Sequence, residues 1–273
     1  MSAMLALAAF LLSALFFLAG HQKKYVAMGI WTLIVISLFS DVPAYLKADN
    51  FLYPALAVLS IPFLALTVRH LLRNDPVVLQ LSKAAAVATL IYVPFACVPV
   101  VRDTLIQAVV IQAFWIIRTF GHDPHMPAWN IIMENGFANQ IVLRCTGIMA
   151  IAMMTGVIAG VSALSGKQGM IVFFVVIPLL YLLNLLRVAV VFIAVSDAWF
   201  WYLPNLTNNP GLGASDFFWA HNVFAEALAI VALIAITLGL SRTVPGFAVF
   251  ARGLVDRYIG DVKVFFGSHP DTP

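Results

Sequence analysis

Long apolar runs separated by short polar breaks dominate this chain. They fall at Ala3–Gly20, Tyr25–Ser40, Phe51–Val68, Lys83–Val101, Cys145–Leu164, Gly169–Val195 and His221–Leu240. Each is close to the ~20 residues that a helix needs to cross a hydrocarbon core. A bilayer offers no water to backbone groups, so runs of this length are read as helices rather than open strands. The pattern predicts seven spans. An eighth run, Thr104–Phe120, carries Gln107, Gln112 and Arg118, and it either spans or lies in the interface. The expected fold class is all-α: a polytopic integral membrane helical bundle of about seven transmembrane helices plus one interfacial or re-entrant helix.

Composition agrees with that pattern. The 273 residues are 63% hydrophobic and 10% charged, well outside soluble composition. A net charge of +3 identifies no partner by itself. The basic residues sit in loops and a tail, which fits a topology signal better than nucleic-acid binding. If Thr104–Phe120 does not cross, one side of the membrane receives ten of the 15 basic residues. Those ten include Lys23 and Lys24, Arg69 and Arg73, Lys167 and the tail from Arg242 to Lys263. The positive-inside rule then makes that side and the C-terminus cytoplasmic. The first run lacks a basic leader and reads as a retained helix, not a cleaved signal peptide. Three regions are expected: an N-terminal four-helix membrane region at 1–101, a membrane core at 102–240 that holds the candidate site, and a basic cytoplasmic tail at 241–273.

Three reactive side chains stand at ends of apolar runs: Cys145, Arg187 and His221. Cys145 and His221 open their runs from the outer side. Arg187 lies 18 residues beyond Gly169, roughly 27 Å along a helix, which brings it to the same outer boundary. Cys145 reads either as a nucleophile activated by a helix start and nearby Arg144, or as a small apolar core residue. Arg187 reads either as a functional charge or as a residue snorkelling to the interface. Asn184 shares its face and could orient it, bind a substrate carbonyl, or bond to another helix. His221 can move a proton or be structural, as His21, His70, His122, His125 and His269 are read. Glu226, five residues past His221, does not share its α-helical face. Cys97 reads as a core cysteine, and Gly156 with Gly160 as a close-packing pair. No histidine pair has metal-ligand spacing, so no metal or other cofactor is expected. The outer connections Gly121–Arg144 and Ser196–Ala220 are read as loops, the second with an interfacial aromatic cluster from Trp199 to Tyr202. The tail from Ser241, with Phe247, Phe250, Phe265 and Phe266, is expected on the inner membrane surface.

The motifs Cys145-Thr146-Gly147, Asn184-x-x-Arg187-Val188 and His221-Asn222 together resemble the archaeosortase/exosortase family, on its archaeosortase side. The resemblance covers roughly Arg102 to Leu240. It implies a membrane-embedded cysteine transpeptidase with catalytic Cys145, Arg187 and a third basic residue, His or Arg in the family, at His221. Asn184 and Arg144 would then meet substrate. The implied partners are secreted surface proteins that end in a Pro-Gly-Phe-like motif, a transmembrane helix and a basic cluster. A membrane lipid would accept the new C-terminus. Two rivals use the same residues: an intramembrane cysteine protease without transfer, and a small-solute or proton transporter built on Arg187 and His221.

Overall fold

The computed structural model describes residues 3–161, 165–208 and 211–265. Its helices are α1 (Ala3–Leu18), α2 (Lys23–Lys47), α3 (Leu52–Leu72), α4 (Pro76–Cys97), α5 (Pro99–Thr119), α6 (Ile148–Gly160) and α7 (Gly166–Ser196). A helical stretch over Ala214–Thr243 forms α8, and Pro245–Phe265 forms α9. Six helical stretches are long and apolar enough to cross a membrane, and α5 is among them. Two predicted spans are shorter: α1 has 16 residues and α6 has 13. The predicted span at Cys145–Leu164 loses its first turn to a 3-10 segment over Leu143–Thr146, and Ser162–Leu164 lie outside the described residues. Among the described residues the apolar helices are thus six long ones and two short ones, beside the expected seven spans and one interfacial or re-entrant helix.

Helix packing defines two ends of the bundle. Gly156 and Gly160 of α6 press onto α4, as their spacing suggested. A Cβ on Gly156 would collide with the Ala84 carbonyl oxygen, and one on Gly160 would come within 2.9 Å of the Ala84 Cβ. The two helices are thus antiparallel, and the C-terminus of α4 meets the N-terminus of α6. At the other end Phe16, Ala27, Leu71 and Val78 share one buried cluster. The α1–α2 and α3–α4 turns, the C-terminus of α6 and the N-terminus of α7 lie at that end, together with α9.

Helix α9 is amphipathic and docks on the bundle rather than only on a membrane surface. Phe247 and Phe250 are buried against Val172 and Val176. Arg257 Nε donates to Asp75, the N-cap of α4, and Arg69 pairs with Asp261 at 3.3 Å. His70 stands between Asp75 and Asp261, so its role is structural. Phe266 and His269 lie outside the described residues.

Helix α5 begins where α4 ends, with only Val98 between them. Beyond its far end, His122 Nδ1 and Ser196 Oγ both bond Glu134 Oε2, which ties this segment to the C-terminus of α7. Both ends of α5 therefore lie toward the same end of the bundle. It is long enough to cross, and its packing brings its two ends toward one end of the bundle. Its face Val109, Val110, Ala113 and Ile117 is fully buried against α7.

The fold is not purely α. The connection Gly121–Arg144, expected as a loop, holds a three-stranded antiparallel sheet: β1 (His125–Ala128), β2 (Ile131–Glu134) and β3 (Phe137–Gln140), in that order. Asn135 and Gly136, at φ 51° and 80°, join β2 to β3 as a two-residue turn. That turn needs two positive φ values, and Asn-Gly supplies them at little steric cost. Ile132, Phe137 and Ile141 pack into the same cluster as α5 and α7. Helix α7 has 31 residues, about 46 Å, against a hydrocarbon core of ~30 Å. Residues 191–195 are buried on every side, whereas Phe174, Val175 and Leu182 are exposed. The C-terminal turns of α7 run inside a protein cap, and its middle turns face lipid.

Candidate functional site

Cys145 sits in the 3-10 turn Leu143–Thr146, one step ahead of α6 rather than on it. Its N–H donates to the Val142 carbonyl at 2.8 Å, and Thr146, fully buried, donates to the Leu143 carbonyl at 2.7 Å. Gly147 ends the turn at φ 76°, where an L side chain is strained. A Cβ there would lie 2.9 Å from the Asn184 Cγ. The glycine thus does two things: it permits the left-handed turn and lets Asn184 approach. Asn184 Nδ2 donates to the Cys145 carbonyl at 2.9 Å. Of the three roles open to Asn184, it takes the bond to another segment, and it ties the cysteine turn to α7.

One helical turn on, Arg187 Nη2 donates to His221 Nε2 at 3.2 Å. A guanidinium has no acceptor, so His221 Nε2 must carry the lone pair. His221 Nδ1 then bears the proton and donates to Asn222 Oδ1 at 2.8 Å. Asn222 cannot be flipped, because its Nδ2 donates to the carbonyls of Ala48 and Asp49 at 3.1 and 3.2 Å. Backbone at the α2–α3 turn therefore sets the histidine tautomer. The ring also stacks on Phe217, with centroids 4.8 Å apart and planes 11° from parallel. Neither partner of this chain, Asn222 as an orienting group or Phe217 as a stacking platform, was singled out from sequence.

His221 does not open its helix. It lies inside α8, in a π-helical stretch over Phe218–Ala225. This changes which residues share its face. At 3.6 residues per turn Glu226 points away from His221. The wider π turn, with i→i+5 bonding, swings Glu226 back toward it. Glu226 is buried, its Oε1 accepts from Asn50 Nδ2 at 2.6 Å, and its carboxylate interacts electrostatically with Arg187. Reading the segment as a regular helix removed Glu226 from the site, and the π stretch restores it.

Arg144 lies over the Tyr45 ring at 5.3 Å, and Tyr45 stacks on Tyr53 at 4.2 Å. The Tyr53 phenol interacts electrostatically with Glu226, Arg187, Arg144 and Cys145 alike. These groups therefore lie near one another around the Tyr53 phenol. Arg187 Nε is buried without a partner among the described residues, so the guanidinium keeps donor capacity for another acceptor. Cys97 is exposed in the last turn of α4, not in a core as its apolar flanks suggested. Among the described residues no cluster of His, Cys, Asp and Glu could hold a metal ion.

The family model for the transmembrane exosortase, Exosortase_EpsH, matches residues 2–203. Archaeosortase A of Haloferax volcanii is 26% identical over 272 residues, which covers 87% of this chain and 86% of that protein. Archaeosortase A of Natronomonas pharaonis is 30% identical over 216 residues, covering 71% of this chain and 66% of that protein. No solved structure matches the chain. The family model takes in the cysteine turn and Arg187 but stops before His221, which a hydrogen bond joins to Arg187. By that match, and by the helices that carry it, the chain belongs to the transmembrane exosortase family.

Proposed function

We propose that this protein is a membrane sorting transpeptidase that uses Cys145 as nucleophile, Arg187 as electrostatic stabiliser and His221 as proton carrier. The observation that carries the reading is the contact between Arg187 and His221 beside the turn that holds Cys145. Asn184, one helical turn before Arg187, ties the Cys145 turn to the same helix, which supports the grouping of the three, and a transporter has no need of a cysteine at that point.

The steps balance as acyl transfer. The Cys145 thiol passes its proton to His221 Nε2, and the thiolate attacks the scissile carbonyl. Arg187, leaving the histidine, donates to the developing oxyanion. The C–N bond breaks, and His221 returns the proton to the leaving amine. A membrane lipid, or water, then attacks the acyl-enzyme and regenerates the thiol. The substrates are secreted surface proteins that end in a Pro-Gly-Phe-like motif, a transmembrane helix and a basic cluster. The kinship with the two archaeosortases A supports that choice.

Segregation of charge supports an extracytoplasmic site. Lys23, Lys24, Arg69, Arg73, Lys167 and the basic residues of α9 lie at the end of the bundle away from Cys145. Under the positive-inside rule that end and the C-terminus are cytoplasmic. We also keep the three-region division 1–101, 102–240 and 241–273 as a functional one, with α9 docked on the other two.

Mass spectrometry of the C-terminus of a candidate surface protein tests the function. Wild-type cells should yield a shortened chain with a lipid mass added, and Cys145→Ala cells an uncut chain. A shortened chain without added mass would favour hydrolysis. Normal processing by Cys145→Ala would rule out cysteine chemistry.

A further inference from the structure

We infer that the free edge of β3 is the binding platform for the substrate segment ahead of the scissile bond, which pairs with it as a parallel strand. This rests on the proposed function and names where its substrate lies.

The sheet order leaves β3 at an edge. Pairing alternates along the β2–β3 hairpin. Glu134 with Phe137 closes the two-residue turn as a bonded pair, and Ile141 N–H donates to the Asn130 carbonyl at 2.8 Å further down. Between these, Ile132 with Asn139 is the bonded pair. The N–H and C=O of Ala138 and Gln140 therefore point away from β2. Both residues are exposed. Four backbone groups without a partner among the described residues thus stand along one short edge, which is how a sheet receives an extended peptide.

A cleft of about 430 Å³ runs along that edge. Residues 136–140 form one wall, and Asp49, Thr207, Phe217 and Asn222 contribute to the other. Asp49 and Thr207 are held together by a side-chain hydrogen bond, so that wall is braced. Phe217 and Asn222 are also the two groups that hold His221. The cleft is therefore separated from His221 by the side chains that hold it, Phe217 and Asn222.

Direction selects the occupant. Strand β3 starts near the C-terminus of α7, where Asn135 donates to Ser196, and descends through Leu143 to Cys145. A surface protein arrives with its folded part beyond the membrane and its anchor helix within it. Its last extended residues must run the same way, toward Cys145. The two chains are then parallel, and the backbone of Ala138 and Gln140 reads the peptide without regard to side chains. Such readout suits an enzyme with many substrates that share only a terminal motif.

Proline at 138 or 140 removes one outward N–H and leaves the β2–β3 ladder whole, since prolines are tolerated at such edge positions. The probe is a reporter protein ending in a Pro-Gly-Phe motif, an anchor helix and a basic cluster, with or without an extended polar segment ahead of the motif. The wild type should cleave the long form with the lower KM. In Ala138→Pro and Gln140→Pro the KM for the long form should rise about fivefold each, the loss of one hydrogen bond. An unchanged long-form advantage would overturn the platform while leaving the proposed chemistry intact. A crosslinking scan reads docking without catalysis, in a Cys97→Ala, Cys145→Ala background with Gln140→Cys. Disulfides to reporter cysteines placed successively ahead of the motif should alternate with a period of two. Uniform or absent crosslinks, or crosslinks between two copies of the enzyme, would overturn it. Should the wild type cleave no reporter while the alternating crosslinks form, the platform stands and the chemistry fails.

Discussion

Arg187 donates to His221 at 3.2 Å, and that one contact fixes the protonation state of the ring. The histidine must be neutral with its proton on Nδ1. Its Nε2, the atom that could take a proton from a thiol, is covered by arginine until an acceptor draws the guanidinium away. In the proposed chemistry, substrate binding and base activation would thereby be one event.

Asn222 should therefore matter as a positioning residue. Asn222→Ala removes the acceptor on Nδ1 and frees the ring to change tautomer. Substrate processing should fall about tenfold at matched expression. Nitrogen NMR of labelled histidine should show the Nδ1–H form in the wild type and a mixture in the variant. A single unchanged tautomer in Asn222→Ala would show that something else orients the ring.

The roles of Arg187 and His221 separate by conservative substitution. Arg187→Lys keeps a charge but loses the planar fork that reaches His221 and an oxyanion together, so it should fail almost as badly as Arg187→Ala. His221→Gln keeps an acceptor for Arg187 but cannot carry a proton. A fall of about 100-fold or more in cleavage rate would mark proton transfer. Near-normal cleavage by His221→Gln would reduce the histidine to a prop for the arginine.

Gly147→Ala tests the cysteine turn. The left-handed backbone costs an alanine about 1–2 kcal/mol, and its Cβ would push against Asn184. A lower melting temperature in detergent and weak processing should appear together. Cys97→Ala, at an exposed helix end, should change neither.

Asp75 governs the docking of α9. Burial opposes its ionisation, but hydrogen bonds from Arg257 and from the Val77 and Val78 amides prevail and hold its pKa below the ordinary value. A lowered carboxylate stabilises fully above its unfolded pKa, and the gain is lost as pH falls through the folded value. The gap in melting temperature between wild type and Asp75→Asn should hold from neutral pH to about pH 5 and close below about pH 4. A gap that closes near pH 6 would assign the docking to a histidine instead.

The membrane character of the chain was legible because it depends on local sums. Apolar runs of spanning length and a low charge content identify lipid-facing helices whatever their neighbours are. Cys145, Arg187 and His221 could be proposed together for a related reason: helical rise alone brings three run ends to one depth. The Asn135-Gly136 turn is just as local, and its signal for a β-hairpin was present in a stretch taken as loop. Other features had no local signature. Whether α5 crosses depends on which helices it packs against, since its composition suits both outcomes. Glu226 returned to the site because eight residues of α8 adopt a π-helical pitch, which a 3.6-residue period cannot anticipate. The histidine tautomer rests on carbonyls at Ala48 and Asp49, more than 170 positions away. Sequence by itself determined what each segment could do in a bilayer and which side chains were candidates for chemistry. Only tertiary structure decided which reactive groups touch, because hydrogen bonds act over about 3 Å and chain position says nothing at that scale.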